Sequence, residues 1–280
     1  MTIWGHTLVK NEERYLWFSV MSVIEYIDRI LIWDTGSTDN TLRIIKEIKK
    51  LYPNKVDFRE VGEVNINEFT SIRQKMLEET ESDWFMILDG DEVWWDDSIG
   101  EAVEFIRRNG RDYDSIVHRY YNAVGDIFHY QEEAAGRYRI DGKTGHLTIR
   151  FMNRKIPGLH FAKPHGQQGI FDGRGVLIQE RDRHRRSFLD KRAFMHFTNM
   201  VRSSSIEKDQ SVPKRSIKFK YELGVSFPSD FYYPEVFFRP RPDGVLGPWR
   251  KMDRNYLIKA LFLTVPRKIK RRVFVRGSGY

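Results

Sequence analysis

In the segment Asp83-Trp84-Phe85-Met86-Ile87-Leu88-Asp89-Gly90-Asp91-Glu92, five apolar residues run straight into a burst of carboxylates. The apolar half has the length and bulk of a strand buried on both faces. The carboxylates fall where that strand must emerge. In extended backbone, residues two apart project to the same side, so Asp89 and Asp91 can reach one ligand together. Gly90 between them has no side chain to crowd it. Hard oxygen pairs of this kind suit Mg²⁺ or Mn²⁺. An acidic turn closing a core strand would give the same letters, so the segment has to be read with its neighbours. An EF-hand is excluded, because Val93 and Trp94 stand where that loop needs a ligand and a glycine.

Upstream, strand and helix patterns alternate. Ile3 to Val9 reads as a strand ending in Lys10-Asn11-Glu12-Glu13, and Leu16, Val20, Val23 and Ile27 recur at helical spacing. Arg29 to Trp33 is a second strand, closed by Asp34-Thr35-Gly36-Ser37-Thr38-Asp39-Asn40-Thr41. Leu42, Ile45 and Ile48 predict a helix with capping residues at its start. Lys55 to Val61 is a third strand, and Phe69, Ile72 and Met76 mark a third helix. This order predicts a mostly parallel sheet covered on both faces. In such sheets ligands bind beyond the carboxyl ends of the strands. Lys10 to Glu12, Asp34 to Asp39 and Asp89 to Asp91 all lie at those ends.

Downstream, Ile99, Val103 and Ile106 predict a helix that Gly110 stops. Ser115 to Asn122 and His146 to Asn153 read as strands, separated by a glycine- and charge-rich segment, 124–145. Glycines and prolines then punctuate a loop-rich region. Arg192 to Thr198 is a later strand-like run, and beyond Val201 only an aromatic, proline-rich stretch and a basic tail stand out. The expected division is a sheet domain over 1–200 and an extension over 201–280.

The chain's 280 residues, 40% hydrophobic and 14% aromatic, suffice for a large core and argue against disorder. It has no cysteine, which removes disulfides, thiolate zinc sites and cysteine nucleophiles and fits a reducing compartment. No apolar run reaches the roughly 18–20 residues of a membrane span, and no signal peptide is evident. A cytoplasmic location, peripheral at the inner face of the membrane, is expected. The net charge of +8 favours anionic partners. Much of it sits in Arg181 to Arg186 and Arg267 to Arg272. The apolar Ala260 to Val265 followed by the basic Pro266 to Arg276 suits contact with an anionic membrane surface.

Leu8-Val9-Lys10-Asn11-Glu12-Glu13, Ile32-Trp33-Asp34-Thr35-Gly36-Ser37-Thr38-Asp39 and Asp83 to Glu92, in this order and spacing, resemble family 2 glycosyltransferases over roughly residues 2–155. The resemblance implies the GT-A nucleotide-diphospho-sugar transferase fold. It also implies inverting transfer from a UDP- or GDP-linked sugar with Mn²⁺ or Mg²⁺. Lys10, Glu12, Asp34, Arg73 and Asp89 would bind the donor, with Asp89 and Asp91 on the metal. Thr35 stands where a second aspartate is common, and Gln74 where an asparagine is usual. The acceptor would be a glycan or a lipid-linked sugar.

In an inverting displacement the leaving diphosphate gathers charge that a divalent ion and a cation absorb, while a general base takes the acceptor's proton. For the base, the family's His-Glu pair corresponds to Pro164-His165-Gly166-Gln167, which leaves His165, Glu132 and Glu133 as candidates. His196, in the apolar run Phe194-Met195-His196-Phe197, is the expected third protein ligand of the metal, with packing as its structural alternative. Trp94 and Trp95 could stack on an acceptor sugar or close the core, and Arg150 reads as a partly exposed strand residue. Two other readings compete. A sugar nucleotidyltransferase on a related fold would carry a glycine- and lysine-rich signature near the first strand, which is missing. A basic nucleic-acid- or polyanion-binding module would place acidic strand ends against phosphate, so no nucleic-acid partner is expected.

Overall fold

The computed structural model describes residues 1–65, 68–164 and 167–273. The first half alternates β1 (Ile3–Val9), α1 (Leu16–Val23), β2 (Arg29–Asp34), α2 (Thr41–Leu51), β3 (Val56–Glu60), α3 (Glu68–Glu78) and β4 (Trp84–Ile87). A short β5 (Glu92–Trp94) leads into α4 (Asp96–Asn109) and the long β6 (Ser115–Val124). Next come β7 (Asp126–Tyr130), the hairpin β8 (Tyr138–Ile140) and β9 (Lys143–Gly145), and β10 (Leu147–Asn153). The small pair β11 (His160–Ala162) and β12 (Gly169–Phe171) precedes β13 (Arg186–His196). The remainder holds α5 (Ile206–Gln210), α6 (Arg215–Lys218), β14 (Val225–Ser226) and α7 (Arg254–Val273).

The main sheet runs β14-β7-β6-β10-β4-β1-β2-β3. β4, β1, β2 and β3 are mutually parallel, while β10 lies antiparallel to both β4 and β6. β13 pairs parallel to β6 and antiparallel to β5. After β1 the chain builds β2 and β3 on one side, then crosses to place β4 on the other. That reversal opens a crevice beyond the carboxyl ends of β1 and β4, where a ligand is expected in such sheets.

Strand alternation assigns the two faces. In β2, Ile30 and Ile32 pack with α1, α2 and α4, while Leu31 and Trp33 pack with Met76 of α3. The helical spacing predicts α1 as far as Ile27, but the helix ends at Val23. Ile27 is still buried, because Gly5 lacks the Cβ that would stand 2.9 Å from Ile27 Cδ1.

Gly110 does follow α4, but for a different reason from the expected left-handed cap: its φ is −62°. A Cβ there would sit 2.8 Å from Trp84 Nε1, and that indole N–H donates to Gly110 O at 3.2 Å. The glycine- and charge-rich 124–145 segment carries three strands. Gly125 (φ 79°) turns β6 into β7, and Asp141 (φ 50°) with Gly142 (φ 80°) joins β8 to β9. An Asp-Gly pair with both residues left-handed is a hairpin signal legible in sequence.

Candidate active site

Each strand end delivers one part of the crevice. At the end of β2, Asp34 Oδ1 accepts from Gly36 N and Ser37 N, both at 2.9 Å, and Ser37 Oγ donates to Oδ2. The carboxylate thus shapes its own loop, helped by Gly36 at φ 85°. At the end of β1, Asn11 (φ 54°) ties into the same loop, accepting from Thr38 N at 2.7 Å. Lys10 reaches across to Glu63 at 3.1 Å. Gly90 turns out to make room for protein rather than for a ligand, since a Cβ there would meet Glu12 Cγ at 3.0 Å and Val9 Cγ1 at 3.1 Å.

At the end of β4 the acids meet arginines from four other segments. Arg73 of α3 donates to Asp89 Oδ1 at 3.0 Å, and Arg150 of β10 to Asp89 Oδ2 at 3.0 Å. Arg150 also pairs with Glu92. Arg202 donates to Asp91 Oδ2 at 2.6 Å and stands 3.2 Å from Glu12. Arg215 pairs with Glu12 and with Asp209, and donates to Asn11 O at 2.6 Å and Lys10 O at 2.7 Å. Glu12, Asp89, Asp91 and Glu92 therefore face Arg73, Arg150, Arg202 and Arg215, with Asp209 as a further acid on Arg215.

Burial and these arginines set the acidities. Burial would raise the Asp89 carboxyl, but Arg150 and Arg73 outweigh it and bring it down to about 2. Burial opposes ionisation of Asp91 as well, yet Arg202 and His196 hold it well below the usual carboxylate range. For Glu92 burial wins over Arg150 and pushes the carboxyl well above its ordinary range. Glu12 rises to about 7 for the same reason, against the pull of Arg202 and Arg215.

β13 brings His196 to this cluster. His196 is in register with Glu92 across the β5–β13 pair, and Phe197 N donates to Asp91 O at 2.9 Å. His196 Nε2 lies 3.5 Å from Asp91 Oδ1 and 3.9 Å from Glu92 Oε1. Ligand atoms of Asp89, Glu92 and His196 all fall within 4.8 Å of one another. Asp91 Oδ1, Glu92 Oε2 and His196 Nδ1 are buried without a hydrogen-bond partner. Two or three carboxylates with one imidazole form a donor set that fits Mn²⁺ or Mg²⁺.

The structure does not bring Glu132 or Glu133 into this set of contacts. Glu133 pairs with Arg119 at 3.0 Å and Arg192 at 2.7 Å, and Glu132 stands 3.5 Å from Arg271. Burial would raise the Glu133 carboxyl, but Arg192 holds it below its ordinary range. His165 lies outside the described residues. The chain leading to it is tied to α3, since Thr70 Oγ1 donates to Lys163 O at 2.7 Å and Phe161 N to Gln74 Oε1 at 2.8 Å. Trp94 is wholly buried and stacks on Phe194 at 4.9 Å, so it closes the core. Trp95 is also buried and donates through Nε1 to Tyr232 O at 2.9 Å.

Sequence reasoning missed Arg202 and Arg215, underread Arg150, and passed over Glu92 as a separate donor. The basic letters after Val201 were visible, but nothing periodic there said which of them turn inward.

The Glycosyl transferase family 2 model matches residues 7–171, more than half of the chain. The chain belongs to that family and has the GT-A fold; enzymes of the family draw on nucleotide-sugar donors. The dTDP-rhamnosyl transferase RfbG of Shigella flexneri is 31% identical over 119 residues, which are 40% of this chain and 40% of that protein. The chain thus matches well under two thirds of that relative's length. Among solved structures, S. aureus TarS 1-349 in complex with UDP-GlcNAc matches with a TM-score of 0.49 and 13% identity, covering 99% of this chain and 76% of that one. The mannosyltransferase PcManGT of Pyrobaculum calidifontis, in complex with GDP-Man and Mn2+, gives a TM-score of 0.38 at 13% identity, over 55% of this chain and 45% of its own.

Proposed function

We propose that this enzyme transfers a sugar, with inversion, from a nucleoside-diphosphate sugar to a glycan or lipid-linked acceptor, using Mn²⁺ or Mg²⁺. The observation that carries this reading is the convergence of Asp89, Glu92 and His196, with Asp91 beside them, at the strand-order reversal. Those four residues would hold the ion, which when bound neutralises charge on the leaving diphosphate. Arg73 and Arg150 stand next to Asp89 and add fixed positive charge there. Lys10, Glu12 and Asp34 build the nucleoside side of the pocket from the ends of β1 and β2. Of the three candidate bases, Glu133 is weakened by Arg192 and Glu132 faces Arg271, so we assign the acceptor's proton to His165. His165→Ala should lower turnover on the order of a hundredfold without changing donor binding.

The charge balance of the cluster supports a further expectation. A cation alone adds positive charge beside Arg73 and Arg150, and a diphosphate alone adds negative charge beside Asp89 and Asp91, whereas the two together offset each other. Each should therefore tighten the other's binding by the same factor. The test is thermal denaturation with Mn²⁺, with UDP-, GDP- or dTDP-sugars, and with both; dTDP is included because of the rhamnosyl transferase relative. Stabilisation by the pair should exceed the sum of the separate effects. Glu92→Gln and His196→Ala should weaken the Mn²⁺ titration at least about tenfold. Donor-dependent stabilisation that is identical with and without a chelator, together with an unchanged Glu92→Gln titration, would exclude the metal.

A further inference from the structure

α7 is docked by one face only. Tyr256, Ala260 and Thr264 are buried, and Tyr256 OH donates to Lys220 O at 2.5 Å. Further along the same face, Arg267 donates to Tyr221 O at 3.0 Å, and Arg271 pairs with Glu222 at 2.6 Å. Positions 256, 260, 264, 267 and 271 fall at helical spacing, so this face is a single stripe.

Two residues on from Tyr256, Ala260, Arg267 and Arg271, or roughly 200° around the helix, stand Ile258, Phe262, Ile269 and Val273. With Leu261 and Val265 they make a second stripe opposite the docked one, 55–77% exposed. The exposed Lys259 and Lys270 border this stripe on one side and the half-buried Lys268 on the other, with the exposed Arg272 within it. Between Arg254 and Val273 there is no acidic residue. A continuous exposed apolar stripe of this kind marks an interaction surface.

We propose that α7 lies flat on an anionic phospholipid bilayer, with Ile258, Leu261, Phe262, Val265 and Ile269 in the acyl boundary and the flanking lysines and arginines against the headgroups. Its charge selects the occupant. A second copy of the chain would bring two uniformly basic helices together, whereas an anionic surface answers both the apolar stripe and its cationic borders. No helix among the described residues is long and apolar enough to cross a membrane, which fits a helix lying on the surface.

A polar chain joins this helix to the candidate site. Arg271 holds Glu222; Glu222 accepts from Gln131 Nε2 at 2.8 Å; Gln131 Oε1 accepts from Asn122 at 2.9 Å and Asn199 at 3.0 Å. Asn122 is the register partner of His196 on β13. A bilayer under α7 would therefore lie a few side chains from the acid cluster, where a lipid-linked acceptor would be presented.

The experiment is flotation of the full chain with phosphatidylcholine vesicles containing or lacking a third of phosphatidylglycerol, beside sedimentation velocity without lipid. Binding is expected only to the anionic vesicles and should fall with salt. Phe262→Glu with Ile269→Glu should abolish it, and Lys268→Gln with Lys270→Gln should weaken it by about tenfold or more. Both variants should keep the wild-type melting temperature and nucleotide-sugar stabilisation, which separates this proposal from the transferase reading. Equal binding to neutral vesicles, unimpaired binding by the Glu variant, or a wild-type dimer that the Glu variant dissolves would each overturn it.

Discussion

The acids of the site and the cations that meet two of them come from regions of opposite character. Asp34, Asp89, Asp91 and Glu92 leave buried strands whose direction is fixed by a sheet packed on both faces. Arg202 and Arg215 lie in or beside short, irregular pieces of chain, yet they reach Asp91 and Glu12 and are themselves buried. The first region positions charge through repetitive hydrogen bonding. The second does so through the charge it meets: Arg202 N donates to Asp209 Oδ1 at 2.8 Å, and Asp209 in turn pairs with Arg215. Removing an acid should therefore damage chemistry first, and removing one of these cations should damage folding first.

The largest effect expected is on the acid side. Asp89→Asn keeps the shape of the side chain that faces Arg73 and Arg150 but removes its charge. Donor turnover should fall on the order of a thousandfold, while urea denaturation shows a native-like transition. Unaltered turnover would mean that the strand-end acid does no chemistry, and the contrast between the two regions would collapse. Asp91→Asn is the companion probe, since Arg202 keeps Glu12 at 3.2 Å.

The cation side should break differently. Arg202→Ala leaves Asp91 buried and ionised without its counter-charge, which should cost about 3–5 kcal/mol of stability in urea denaturation. The exposed pair Arg108–Glu104 provides the control, since Arg108→Ala should cost less than about 1 kcal/mol. If the two substitutions cost the same, the segment after Val201 does not pack onto the acids as described.

What could be read in the sequence follows the same division. The strand at Trp84 is legible because five consecutive apolar residues need a two-faced sheet, and those at Ile3 and Arg29 because they alternate with helix patterns. His196 is legible because an apolar strand run surrounds it. Glu92 was in view, but its role depends on register with His196, and a sheet pairing 104 residues apart leaves no local signal. Arg150 sits in a strand with only partial alternation, so its inward turn toward Asp89 could not be told from a half-exposed position. Arg202 and Arg215 stand in a stretch without period, among many basic residues that remain in solvent. Charge there was readable, and direction was not.

Among the buried groups, the smallest expected effect concerns His118. His118 lies on β6 between Trp94 and Phe151, with ring centroids 5.0 and 5.6 Å away, and neither ring nitrogen has a partner. Burial, reinforced by Arg150, lowers its pKa from 6.5 to about 3. The native state therefore keeps this ring neutral while the unfolded chain protonates it as pH falls below 6.5. Between that value and about 3 the unfolded state binds the extra proton, so stability is complete at neutral pH and declines on acidification. At about pH 5 the single group accounts for roughly 2 kcal/mol. His118→Leu removes the titration and nearly conserves volume. Whatever it does to stability at neutral pH, its loss of stability between about pH 7 and 5 should be smaller than wild type's by about that amount. His6, lowered to about 3 by burial and Arg73, should maintain a residual slope in both proteins. Parallel pH profiles from urea midpoints would show that His118 is protonated or hydrated in the native state, and that the space between Trp94 and Phe151 is wetter than its packing implies.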